Sequence, residues 1–149
     1  MLFTLACVLT GVQAKVKLPH IICDNMVIQQ NTDVRLWGTA APGATVNVAV
    51  SWSGDGYKAK ADGQGKWLLT VKSPKADGHK LSISFDDGDG AVGVENVLAG
   101  EVWVCAGQSN MEMPIKGFND CPIEGYNEVV AGARADSLIH FVKIPSRMS

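Results

Sequence analysis

The sequence predicts a mixed fold, an antiparallel β-sandwich followed by the start of an α/β, parallel-sheet domain. Three observations predict it. Between about Val16 and Val97, short alternating segments are cut by turn residues, with no helical period between them. At Leu98 the pattern changes, and Val102-Trp103-Val104-Cys105-Ala106 is a continuous apolar run, the mark of a strand buried on both faces. Residues 137–144 form a second such run after a stretch suited to a helix, which makes strand, crossover and strand.

Taken in order, residues 1–14 carry no charged side chain and end in Val12-Gln13-Ala14, with small residues where signal peptidase favours them. They read as a secretory leader without the usual basic start. The alternative is a buried first strand or helix. With the leader removed, the chain begins at Lys15 and is secreted or periplasmic. The sandwich is then assigned to residues 15–97. Val34-Arg35-Leu36-Trp37-Gly38 is a strand, Ala41-Pro42-Gly43 a turn, and residues 44–50 a half-buried strand of period two. Asp62-Gly63-Gln64-Gly65 turns the chain into a strand over residues 67–71, and strands over 81–85 and 92–97 flank the turn at residues 86–90. Residues 98–149 are assigned to the α/β part, with strands at 102–106 and 137–144, a broken middle around Pro114 and Pro122, and a helix or helical turn within residues 126–135.

Composition bounds the function. Of 149 residues, 46% are hydrophobic and 19% charged, which excludes a disordered chain. The 13 basic and 15 acidic side chains leave a net charge of -2, so nothing points to nucleic acid or to an anionic membrane surface. No apolar run reaches the roughly 20 residues that span a bilayer. The length suits one ordinary domain or two small ones, not a large hydrolase domain with an accessory module. Cys7 leaves with the leader; Cys23, Cys105 and Cys121 remain, with no C-x-x-C spacing to hold zinc. Cys105 reads as a buried small hydrophobe, and one disulfide among the three is open. No cofactor or metal is expected. Asp86-Asp87-Gly88-Asp89-Gly90 lacks calcium-loop ligands at Ala91 and Leu98 and reads as a turn.

Ser109 is the sharpest candidate for chemistry. It follows an apolar run, stands two residues past Gly107, whose backbone freedom suits a tight strand exit, and opens a segment able to turn helical. Either it caps that helix or it is an exposed nucleophile beside free backbone N–H groups. The residues around it then carry a resemblance. Gly100-Glu101-Val102-Trp103-Val104-Cys105-Ala106-Gly107-Gln108-Ser109-Asn110-Met111-Glu112 resembles the first catalytic block of the sialate O-acetylesterase family, SGNH-type hydrolases in which G-Q-S-N-M stands where relatives carry G-D-S. Upstream, Leu18-Pro19, Gln29-Gln30, Trp37-Gly38, Pro42-Gly43, Ala61-Asp62-Gly63 and Lys66-Trp67 resemble the β-sandwich that accompanies the esterase domain in many members.

The resemblance implies a serine esterase that removes acetyl groups from O-acetylated sugars, with Ser109 as nucleophile and Gly107, Gln108 and Asn110 around it. Gln108 and Asn110 either orient the serine or satisfy the turn backbone. Such a serine needs a base, which the family takes from a D-x-x-H motif. Here the residues three before His20, His79 and His140 are Lys17, Ala76 and Ser137, so no base is assigned. His140 reads as structural within its strand, and Glu112 as a helix-start carboxylate. The chain is expected to hold only the N-terminal part of the esterase domain and to be inactive alone. Two alternatives remain: an acetylxylan esterase, or a non-catalytic module whose sandwich binds glycans. Trp37, Trp52 and Trp67 are its candidate stacking residues, against a plain role in the core.

Overall fold

The computed structural model describes residues 15–134 and 138–144. Residues 1–14, the expected leader with Cys7, lie outside the described residues, as does Ser137. The chain divides into two compact units after Glu101.

The first unit is almost entirely strand. In chain order it contains β1 (Val27–Gln29), β2 (Asp33–Thr39), β3 (Thr45–Val50), β4 (Gly56–Lys60), β5 (Lys66–Lys72), β6 (Leu81–Asp86) and β7 (Val92–Gly100). Five strands form one sheet in the order β1-β7-β6-β3-β4, and β2 pairs with β5 in a second. The expected purely antiparallel arrangement needs correcting, because β1 runs parallel to β7, with Val27 opposite Leu98 and Gln29 opposite Gly100. That pairing also carries β7 through Gly100, past the change of pattern at Leu98. Strand β4 was not evident in the sequence.

Alternation drives burial here. In β3, Val46, Val48 and Val50 are buried between exposed Thr45, Asn47 and Ala49, and β5 repeats the pattern with Trp67, Leu69 and Val71. Each such side chain contributes roughly 1.5–3 kcal/mol when taken out of water. Residues from both sheets enter one hydrophobic cluster. Within it the rings of Trp67 (β5) and Phe85 (β6) lie 5.7 Å apart.

The turns behave as their residues require. Ala41-Pro42-Gly43-Ala44 closes with the Ala44 N–H on the Ala41 carbonyl at 3.0 Å, and Gly43 has φ +77°. The Asp62 carboxylate accepts from the backbone N–H of Gln64 and of Lys66, both at 2.8 Å. Those bonds, Lys66 first, hold its carboxyl below the ordinary aspartate range. Gly65, at φ +79°, leaves no room for a side chain, since a Cβ there would stand 2.5 Å from the Ala40 carbonyl oxygen. Gly43 shares its φ but faces open space. Both glycines to alanine are therefore expected to destabilise, Gly43→Ala by about 1 kcal/mol for the left-handed backbone and Gly65→Ala by at least twice that. Urea unfolding checks the pair, and equal losses would show that the carbonyl simply moves aside.

The second unit contains α1 (Ser109–Glu112), a small hairpin of β8 (Gly117–Phe118) and β9 (Cys121–Pro122), and α2 (Tyr126–Gly132). The broken middle and the short helix agree with the sequence. The two buried strands do not. Residues 102–106 and 138–144 form no strand, and Trp103 is 82% and Phe141 94% exposed. A strand buried on both faces needs paired edges and covering layers, and no sheet among the described residues of this unit offers them. Cys105 is accordingly exposed rather than buried, and Cys23, Cys105 and Cys121 are free thiols.

Candidate active site

Ser109 is the first residue of α1, and Gln108 before it is the N-cap. The serine therefore does not stand at the capping position, and Gln108 makes no capping bond with its side chain. One turn is held by the N–H of Met113 on the Ser109 carbonyl at 3.0 Å and that of Met111 on the Gln108 carbonyl at 2.9 Å. It stops there because Pro114 follows: the residue before proline favours extended backbone, and Met113 has φ -63° and ψ 120°. Gln108, Ser109 and Asn110 are all exposed. Glu112 lies in the first turn, where a carboxylate is favourable.

Gly107 plays a different part from the one expected. Its backbone is not left-handed. Instead, a Cβ at this position would stand 2.7 Å from Cγ of Met111, so the glycine admits the methionine side chain that folds over it.

The structure adds a group that the sequence did not single out. Gln29 Nε2 and Gln30 Nε2 donate to the two carboxylate oxygens of Glu101 at 3.0 and 2.8 Å. Gln30 Oε1 also accepts from the N–H of Ala76 at 2.9 Å. The parallel β1–β7 pairing makes this possible by setting Gln29 beside Gly100. The two amides, Gln29 first, keep the Glu101 carboxyl below the ordinary glutamate range. Within the first unit, the end of β7 is thus tied to the end of β1.

All three histidines, His20, His79 and His140, are exposed. His79 Nδ1 lies 2.9 Å from Asp77 Oδ2 in an exposed turn; the Asp77 carboxyl is held low, first by the backbone N–H of His79 and then by its ring. His140 is exposed in an irregular stretch, not inside a strand. Among the described residues no cluster of three or more His, Cys, Asp and Glu side chains suits a metal ion. In the loop at residues 86–90, Asp86 Oδ1 and Asp87 Oδ1 accept backbone N–H groups of the turn itself. Trp67 belongs to the core and Trp52 donates to the Lys72 carbonyl at 2.8 Å, whereas Trp37 remains 42% exposed.

No family model matches the chain. It is similar to a solved carbohydrate acetylesterase from Xanthomonas citri, with TM-score 0.62 and 31% identity over 67% of this chain and 22% of that one. The class of protein to which the chain is thus similar is the carbohydrate esterases. Within it, the chain resembles the sialate O-acetylesterases. It is 30% identical to that of Mus musculus over 99 residues (60% of this chain, 18% of the relative). It is 30% identical to that of Homo sapiens over 106 residues (63% and 20%), and 27% identical to that of Rattus norvegicus over 123 residues (77% and 23%). The chain spans about a fifth of the length of these relatives. The expected resemblance to the sialate O-acetylesterases thus holds over part of the chain.

Proposed function

We propose that this chain is part of an exported carbohydrate O-acetylesterase of the sialate 9-O-acetylesterase kind, with Ser109 as its nucleophile. One observation carries the reading: the Gly100–Glu112 block, with its serine exposed at the start of a helical turn, in a chain similar to carbohydrate acetylesterases. Residues 15–97 are read as an accessory β-sandwich, and residues 98–149 as the opening of an SGNH-type domain. The leader at residues 1–14 delivers the protein outside the cytoplasm.

In this mechanism a base takes the Ser109 hydroxyl proton while Oγ attacks the acetyl carbonyl carbon. The resulting oxyanion is met by backbone N–H groups at the start of α1, which lack intrahelical acceptors. The carbon–oxygen bond to the sugar breaks, and the base returns its proton to the departing sugar hydroxyl. Water then cleaves the acetyl-serine to acetate. Gln108 and Asn110 orient the hydroxyl and the ester. None of the three histidines follows the D-x-x-H pattern, so the 149-residue chain alone is read as inactive, and the base comes from a D-x-x-H segment other than these residues.

The test measures acetate release from a 9-O-acetylated sialoside and from acetylated xylan, by this chain and by any longer product of the same gene. Release from the sialoside by a product that contains a D-x-x-H supports the reading. Preference for xylan replaces the substrate with a plant polysaccharide. Release from neither by such a product overturns the esterase.

A further inference from the structure

The outer face of the β2–β5 ladder carries side chains that the core does not use. Directly opposed residues of a ladder share a face, and every second residue returns to it. The register opposes Thr39 to Lys66, Trp37 to Leu68 and Arg35 to Thr70. Lys17 bridges Thr39 from the other side, with N–H to carbonyl bonds of 2.8 and 2.9 Å. The intervening residues Leu36, Trp67, Leu69 and Val71 are buried, so this outer set is exposed, Trp37 at 42% and Leu68 at 59%. A groove of about 360 Å³ lies here, with Lys17, Leu18, Pro19, Trp37, Thr39 and Lys66 in its lining.

Two features of the groove select an occupant. Its wall is an exposed indole beside Leu18 and Pro19, a flat apolar surface against which the C–H face of a pyranose ring packs. Its polar residues are Lys17, Lys66 and Thr39, and no aspartate or glutamate is in the lining. In a chain of net charge -2 the charged residues of this lining are thus both lysines, and Arg35 lies on the same face, while Asp62 attracts Lys66 from the neighbouring turn. We propose that this face binds an acidic saccharide, with a pyranose stacked on Trp37 and its carboxylate held by Lys17 and Lys66. A nucleic-acid strand fits less well: it stacks successive bases on several exposed aromatic side chains along a basic track, and of the two indoles in this lining only Trp37 is exposed, Trp67 being buried. The choice of a sugar over another small anion rests on the esterase reading. The binding itself uses no residue of the Gly107–Asn110 site.

The experiment titrates the full 149-residue chain with 3′-sialyllactose, lactose and single-stranded oligodeoxythymidine, followed by nuclear magnetic resonance. Saturable binding of sialyllactose is expected, with lactose about tenfold weaker or more. Trp37→Ala, and Trp37→Leu, which keeps bulk without a flat ring, should each raise the Kd about tenfold, the low end of what losing one stacked aromatic costs. The double variant Lys17→Gln, Lys66→Gln should erase the preference for sialyllactose over lactose. Equal binding of the two sugars by the unaltered chain, no saturation, or unchanged affinity in both Trp37 variants would overturn the proposal. Tighter binding of oligodeoxythymidine would overturn it too and assign the face to nucleic acid. Because binding is read without catalysis, its failure leaves the acetate-release test of the esterase untouched.

Discussion

Ser109→Ala is expected to abolish practical turnover, lowering acetate release from an acetylated sugar on the order of 10⁴- to 10⁶-fold wherever the serine works with a base. The size of the loss follows from the mechanism proposed above. Without Oγ no acetyl-serine forms, and water must attack the ester directly, aided only by whatever binds the oxyanion. Folding should be unaffected, because the side chain is exposed and the turn of α1 is held by backbone groups. A circular dichroism spectrum matching the unaltered protein, together with lost acetate release, is the expected pair of results. Substantial retained turnover would remove Ser109 from the mechanism. Asn110→Ala and Gln108→Ala should cost less, since in the proposed mechanism each orients rather than reacts.

What the sequence made legible depended on the distance over which each feature is determined. The alternation Val46, Val48, Val50 is local, and each inward position is buried in the structure. The Pro42-Gly43 and Asp62–Gly65 turns are local too. Strand β1 is not: three residues gain their structure from a parallel partner some seventy positions away. Strand β4 offers only Tyr57 and Ala59 between lysines and a glycine, too little apolar contrast to stand out. The continuous run at residues 102–106 failed for the opposite reason. Its composition suits a strand covered on both faces, but composition cannot supply the neighbouring strands, and without them the run stays exposed. The candidate site divides the same way. Ser109 stands out as a candidate in the sequence because a contiguous block surrounds it, whereas Glu101, inside that block, showed its two glutamine partners only when the fold brought them together.

The largest stability effect should come from the centre of the first unit. Phe85 is fully buried on β6, the middle strand of its sheet, opposite Val48 of β3 and Val92 of β7. Its ring also meets Trp67 of the other sheet at 5.7 Å and 41°. Phe85→Ala removes this contact between sheets along with the packing inside one, and the rigid ladders on either side of β6 limit how far the hole can close. The expected cost is about 3–5 kcal/mol. A small domain has only about 5–15 kcal/mol in total, so the variant should be near its unfolding limit at room temperature. Each kcal/mol lowers the Tm of a domain this size by roughly 4–8 °C, which makes the shift easy to read by near-ultraviolet circular dichroism. Phe85→Leu should lose less than half as much, because most of the apolar volume stays. Leu68→Ala, on the exposed outer face, should change stability by no more than about 0.5 kcal/mol. A Phe85→Ala loss as small as that of Leu68→Ala would mean that the two sheets do not depend on this contact, and that the core of the first unit is held from the β1–β7 side instead.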